Sequence, residues 1–332
     1  MTESHNRFRF WLLLSPVLLV ILAAGIGLIG RFANHIDLQN PVALWKLIFS
    51  PDGQSLAAVC HDDATRVWDV ASGKLPMTVE KGERVYAVEY LDHGRQIATA
   101  GASGTIKIRD SSTSREEAEL VVDEPGWVLV LAASPDGRLL ATGSTSPNSD
   151  NGVVTLWDVK ARKKAHICRG HSGAVKGLCW APDGKTLVSV GFEGHVIVWD
   201  VSTGRQLACY STDVARLWCL AMSPEGNTLA VGGTGLIIIE RRTRKVVQSF
   251  LTHHSILRTV NFFPDGRRLL TSSFDGTVRM WDVVTGAEIG RIERQDEAVA
   301  ALSPDGKTVA VSDQTGSAQL WKINAFARSP SK

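Results

Sequence analysis

The sequence of 332 residues predicts an all-β fold made of seven four-stranded units, and three observations carry that expectation. Turn-forming glycines recur at Gly53, Gly94, Gly137, Gly184, Gly226, Gly266 and Gly306, at intervals of 41, 43, 47, 42, 40 and 40 residues. A second mark, Trp68-Asp69, Trp199-Asp200 or Trp281-Asp282, stands 15 residues after Gly53, Gly184 and Gly266. Between the marks lie β-rich runs bounded by turn residues, such as Leu187 to Val190 and Val196 to Trp199. A fixed period of this length is the signature of a stacked repeat architecture.

The first mark has a mechanism. Five of the glycines close near-identical tetrapeptides, from Ser50-Pro51-Asp52-Gly53 to Ser303-Pro304-Asp305-Gly306; unit five has Ser223-Pro224-Glu225-Gly226, and unit two degenerates to Leu91-Asp92-His93-Gly94. Proline presets φ for a turn and glycine takes the positive φ that ends it, so each tetrapeptide punctuates a hairpin. The second mark recurs as Trp157-Asp158 and, weakened, as Arg109-Asp110 and Trp321-Lys322. With one strand before the glycine, two between the marks and one after the second, each unit has four antiparallel strands. Such a unit cannot bury its faces alone, and radial stacking of seven closes a β-propeller. No helix is expected in this part of the chain.

A separate segment precedes it. Phe10 to Gly30 is 21 residues without a charge, long enough as a helix to cross a hydrocarbon core of about 30 Å. It is expected to be a transmembrane or signal-anchor helix; the competing reading is a signal peptide cleaved near Ala23 and Gly25. The apolar run continues past that point through Ile26, Leu28 and Ile29, which favours the anchor. Arg7 and Arg9 before the segment against Arg31 after it tilt the propeller toward the exported side. The expected organisation is a tail (1–9), the anchor (10–30), the propeller (35–324) and a C-terminal tail (325–332), in a single-pass membrane protein or, after cleavage, a secreted one.

Composition narrows function. Lys and Arg number 36 against 34 Asp and Glu, so the overall basic field that collects nucleic acid is missing, and no nucleic-acid partner is expected. Cys60, Cys168, Cys179, Cys209 and Cys219 all fall in strand-like runs without a CxxC pair, and are expected to be buried free thiols. No HExxH and no Cys/His set with zinc spacing occurs, so neither metal nor cofactor is expected. Gly184-Lys185-Thr186 and Gly306-Lys307-Thr308 mimic the end of a phosphate loop, but Cys179 and Ala301 stand where its first glycine belongs. Nothing in the sequence speaks for catalysis.

These repeats resemble the WD-repeat family over about residues 35 to 324. The resemblance implies a hydrogen-bonded tetrad in each blade: a His before the first strand, a Ser or Thr in the second, an Asp in the following turn, and the Trp of the third. His253, Thr271, Asp275 and Trp281 fit in full; His171, Ser189 and Trp199 fit with Glu193 in place of Asp. Blade one offers Asp62 and Trp68 but Asn40 and Ala58, and blade five places Glu240 or Arg241 where the Trp belongs. The family also borrows the outermost strand of its last blade from the N-terminal side. His35-Ile36-Asp37-Leu38 stands where that strand should be, to complete the blade whose third strand is expected at Ser317 to Ile323.

The resemblance further implies that one face of the disc, carrying the loops from fourth to first strand and from second to third, meets partners. Alignment on the turn glycines puts Arg84, Trp127 and Arg216 ten positions before the glycine. Trp45, Tyr86, Lys176, Trp218 and Arg258 stand eight before it. Both columns fall at that rim, and aromatic and Arg side chains dominate binding hot spots. Blade three adds five residues, since Gly137 to Trp157 is 20 residues where its siblings have 15, in a polar loop from Thr145 to Gly152 beside Trp127. The expected function is a non-catalytic, membrane-anchored scaffold for protein partners. The alternative is an exported propeller that binds a small ligand or glycan, or hydrolyses it, at the channel mouth; it needs convergent acids or a metal there.

Overall fold

The computed structural model describes residues 35–38, 42–122, 126–146, 149–250, 253–294, 296–313, 316 and 318–326. The chain divides into two units, Met1–His35 and Ile36–Lys332; the second holds the blades, and His35 stands at the head of its first strand. The segment 10–30 and the tail from 327 lie outside the described residues. Among the described residues no helix is long and apolar enough to cross a membrane.

Seven antiparallel four-stranded sheets form, each in sequence order but one. After β1 (His35–Leu38), blade one is β2 (Leu44–Phe49), β3 (Ser55–Cys60), β4 (Ala64–Asp69) and β5 (Met77–Lys81). Blade two is β6 (Val85–Leu91), β7 (Gln96–Gly101), β8 (Thr105–Asp110) and β9 (Glu116–Val121). Blade three is β10 (Trp127–Ala133), β11 (Leu139–Ser146), β12 (Ser149–Asp158) and β13 (Lys163–Arg169). Blade four is β14 (Val175–Trp180), β15 (Thr186–Gly191), β16 (His195–Asp200) and β17 (Gln206–Ser211). Blade five is β18 (Cys219–Met222), β19 (Thr228–Gly232), β20 (Leu236–Glu240) and β21 (Lys245–Phe250). Blade six is β22 (Leu257–Phe262), β23 (Arg268–Ser273), β24 (Thr277–Asp282) and β25 (Glu288–Glu293). Blade seven is β26 (Val299–Leu302), β27 (Thr308–Ser312) and β28 (Ala318–Lys322), and its fourth strand is β1, in the order β1-β28-β27-β26. The N-terminal strand therefore closes the propeller, with Leu38 buried and Asp37 accepting a hydrogen bond from Gln319 at 2.8 Å.

The turn marks act as their chemistry requires. In the Ser50 turn the Gly53 N–H returns to the Ser50 carbonyl at 2.8 Å with Gly53 at φ +70°, while the Ser50 hydroxyl accepts from the Ser55 N–H at 2.9 Å. The Asp after each Trp ties the outer hairpin: Asp200 accepts from the Thr203 N–H at 2.8 Å and from its hydroxyl at 2.7 Å, and Asp282 does the same with Thr285. The core is a set of apolar wedges between neighbouring blades; the one joining blades one and seven holds Leu44, Leu56, Trp68, Val299 and Leu320.

Both assigned tetrads form. In blade six the Trp281 indole N–H donates to Thr271 Oγ1 at 2.8 Å, His253 Nε2 meets the same hydroxyl at 2.8 Å, and His253 Nδ1 faces Asp275 at 3.1 Å. Burial pushes His253 down to about 4, so the ring is neutral at pH 7. Burial alone would raise the Asp275 carboxyl, but hydrogen bonds from the Thr277 hydroxyl and the N–H groups of His254 and Thr277 outweigh it and hold it well below the usual range. A neutral ring donates from Nδ1 to that carboxylate, which leaves Nε2 to accept from Thr271. Blade four repeats the relay with Glu193 on His171 Nδ1, Ser189 on its Nε2 at 2.6 Å, and the Trp199 N–H on Ser189 at 2.7 Å.

Several expectations are corrected. The Trp position of blade five is Ile239, paired with Leu229 as Trp281 is with Leu269, and not Glu240 or Arg241; Gly226 to Ile239 is 13 residues, so this hairpin is two residues shorter than its siblings. The added residues of blade three are not a loop but an extension of the hairpin, in which Ser146 pairs with Ser149 and Thr145 with Gly152. Helix occurs where none was expected, as one turn α1 (Ile323–Phe326) after β28 and a 3-10 turn at Asp92–Gly94 that replaces the proline turn of unit two. The third strand of blade seven is Ala318–Lys322. Cys209 is exposed, because strand alternation on outermost β17 turns Ala208 inward and Cys209 out, and Cys179 is half-buried.

Candidate functional site

The inner strands reveal how the second of the two sequence columns is aimed. In five blades the ladder between first and second strands skips one residue: Trp45 in β2, Tyr86 in β6, Leu129 in β10, Lys176 in β14 and Arg258 in β22. These are the residues eight positions before the turn glycines of their blades. A β-bulge leaves one residue unpaired and redirects its side chain, and here it turns that side chain into the mouth of the central channel. In blade five Trp218 sits just before β18, its backbone N–H on the Gly232 carbonyl at 2.8 Å. Trp45, Tyr86, Lys176, Trp218 and Arg258 all line one channel cavity of about 290 Å³.

The side chains form a continuous aromatic and cationic arc. The Arg258 guanidinium lies 4.8 Å from the Trp45 ring and 4.9 Å from Phe274; Phe274 meets Trp218 edge-on at 5.6 Å. The Lys176 ammonium lies 4.6 Å from Trp218 and 6.0 Å from Phe192, and the Arg216 guanidinium lies over Phe192 at 5.7 Å. A second group adjoins: Tyr86 and Trp127 are 6.1 Å apart, and Trp45 and His61 are 5.4 Å apart. Trp45, His61, Arg84 and Tyr86 share a side cleft of about 240 Å³ between blades one and two.

The eight residues singled out in the sequence therefore fall on one face, with different exposure. Trp127 is 44% exposed and Arg84 and Arg216 are exposed, whereas Trp45, Tyr86, Lys176 and Trp218 are half-buried. Arg258 is buried at 6%, donates to Glu297 at 3.2 Å and to the Trp45 carbonyl at 3.1 Å, and so braces blade six against blade one instead of standing at the rim. Phe192, Phe274 and His61 were missed. Each stands eight residues after its turn glycine, in the turn between second and third strands, so the same alignment that found the other columns contains their signal.

Below the mouth, Lys46 and Glu89 face the channel. Burial pushes the Glu89 carboxyl up to about 7 and the Lys46 ammonium down, each shift partly offset by the other's charge. Both are half-buried where they line the cavity, and the surrounding protein disfavours each charge. Among the described residues no group of three or more His, Cys, Asp or Glu is placed to hold a metal ion.

The WD domain, G-beta repeat model matches residues 28–69, 120–158, 162–200 and 244–282. The chain carries WD40 repeats. The matches end at Asp69, Asp158, Asp200 and Asp282, the residues after the third-strand Trp of blades one, three, four and six. The match at 162–200 begins with β13, the outermost strand of blade three, and 28–69 takes in β1, the outermost strand of blade seven. A WD40 repeat is thus staggered by one strand against a blade, and this stagger is why β1 interlocks the ends of the propeller.

The chain is 26% identical to periodic tryptophan protein 2 of Arabidopsis thaliana over 79% of its own length and 24% of that protein's. It is 23% identical to a guanine nucleotide-binding protein subunit beta of Oryza sativa subsp. japonica, over 72% of this chain and 68% of the relative. It is 26% identical to telomerase protein component 1 of Mus musculus, over 79% of this chain but 10% of the relative. The chain spans about a quarter and about a tenth of the first and third of these relatives.

Proposed function

We propose that this chain is a non-catalytic platform for protein partners, which it holds on the face bearing Trp127, Trp218, Phe192 and Arg216. The observation that carries the reading is the arc itself. Four aromatic rings and three cations from four blades meet in one chain of contacts, with the Tyr86–Trp127 pair beside them on the same face, and among the described residues no group of acids or metal donors is placed there for hydrolysis. Two of the relatives are named as a subunit and a component of larger assemblies, which supports a binding role. The direct contacts assigned to partners are Trp45, Arg84, Tyr86, Trp127, Lys176, Arg216 and Trp218; Arg258 holds the rings in place from below.

Phe10 to Gly30 supplies the location in this reading: a single-pass anchor with the propeller on the exported side. Affinity capture from detergent-solubilised membranes tests both parts. The full chain should retain a partner that a Trp127→Ala/Arg216→Ala/Trp218→Ala variant loses, and should stay with membranes through a carbonate wash. Equal capture by the triple variant argues against the face, and a mature N-terminus near Ile26 argues against the anchor.

A further inference from the structure

The charges lining the channel mouth do not balance, and the imbalance is local. Three cations line the cavity, Lys46, Lys176 and Arg258, against the single carboxylate Glu89. Arg258 has its own counter-ion in Glu297. Lys46 and Glu89 answer each other through space. Lys176 makes no ion pair among the described residues; its ammonium is held only by the faces of Trp218 and Phe192.

The carboxylates nearby are committed elsewhere. Asp275 serves His253, Glu193 serves His171, Glu83 pairs with Lys107 at 2.6 Å and Asp313 with Arg294 at 3.2 Å. Asp63, Asp213 and Asp296 also stand on this face, but none lines the channel cavity. Burial works against the Lys176 charge and lowers its pKa, a cost that a carboxylate arriving beside it would offset.

We propose that the channel mouth receives the carboxylate of an acidic residue in a peptide segment of the protein partner, with Lys176 as the cation that meets it. The inference rests on the partner-binding reading of this face and adds the chemistry of what is bound. The cavity, about 290 Å³, has room for an inserted side chain. Trp45, Tyr86 and Trp218 at the rim cover the methylene stem of that side chain, and Arg216 and Arg84, exposed further out, favour acidic residues on either side of it.

The test is selection of a random peptide display library against the full chain in detergent, followed by affinities of individual peptides by fluorescence anisotropy. Selected peptides should share an Asp or Glu at one position. Changing that residue to Asn or Gln, or Lys176→Met in the protein, should weaken binding roughly tenfold or more, while Lys176→Arg keeps it. The peptide-side change and the Arg variant decide the matter even if the Met variant folds poorly. Peptides that lose binding with Trp127→Ala or Arg216→Ala but show no shared acid overturn this inference and leave the platform reading standing. Peptides indifferent to every variant of the face overturn both. Equal, Lys176-dependent binding of inorganic phosphate or of phosphatidylserine vesicles overturns the peptide assignment.

Discussion

Thr271→Val isolates the blade-six relay, because valine keeps the shape of threonine and removes only the hydroxyl. Thr271 is fully buried, and its Oγ1 is the one atom that meets both the Trp281 N–H and His253 Nε2, each at 2.8 Å. The change leaves a buried donor and a buried acceptor without partners, about 1 to 3 kcal/mol each, and because they share one hydroxyl the total is about 2 to 5 kcal/mol. Blade three provides an internal standard. There the Trp157 N–H donates to Thr142 at 3.1 Å and no histidine completes the relay, so Thr142→Val orphans one group and should cost about 1 to 3 kcal/mol. Blade one provides the limit, since Ala58 already stands at this position and the buried Trp68 N–H has no hydrogen-bond partner among the described residues. Urea unfolding of the full chain in detergent, monitored by tryptophan fluorescence, should rank Thr271→Val as clearly more costly than Thr142→Val. Equal costs, or a cost below about 1 kcal/mol for Thr271→Val, would refute the relay.

Three further outcomes rest on named features. His253 titrates at about 4 when folded and near 6.5 when unfolded, so the unfolded chain takes up the proton first and wild type loses stability as pH falls from 6.5 to about 4. Its stability advantage over His253→Gln should narrow across that window by up to about 3 kcal/mol, and a constant gap in pH-dependent urea unfolding contradicts a neutral buried ring. A chain beginning at Pro41 lacks β1 and exposes the edge of β28, so its thermal unfolding should be lower and less cooperative than that of a chain beginning at Asn34; equal melting profiles would count against closure by β1. Trimming the blade-three hairpin by its five extra residues should leave the melting temperature within a few degrees and weaken capture of the partner, because the hairpin stands beside exposed Trp127; unchanged capture removes it from the binding surface.

The architecture was legible because turn chemistry repeats. Proline, aspartate and glycine each do one local job that tertiary packing does not override, so seven blades can be counted from seven turns. Closure by β1 was legible through the resemblance to the WD-repeat family, which implied that His35 to Leu38 supplies the fourth strand missing from the last blade. What escaped were features set by local departures from the repeat and by partners distant in sequence. The weakened Arg109-Asp110 mark puts Arg109 at the Trp position of blade two, but no motif announces that it donates to Thr99 at 3.2 Å in place of the indole. Ile239 was displaced because a fixed count from Gly226 assumes a hairpin length that blade five does not keep. The aromatic face was half legible: the glycine alignment found the eight residues that the bulges and loop ends present, but the burial of Arg258 depends on Glu297 and on the Trp45 carbonyl of β2, both distant along the chain.

Site-specific photo-crosslinking tests the central claim most directly. A photoreactive phenylalanine analogue placed at Trp127, on the aromatic face, should capture the partner from intact membranes. The same group placed at Val284, 78% exposed in an outer turn on the opposite face, should not. Crosslinks from position 284 with none from position 127 would contradict the account and move the binding surface to the other side of the disc.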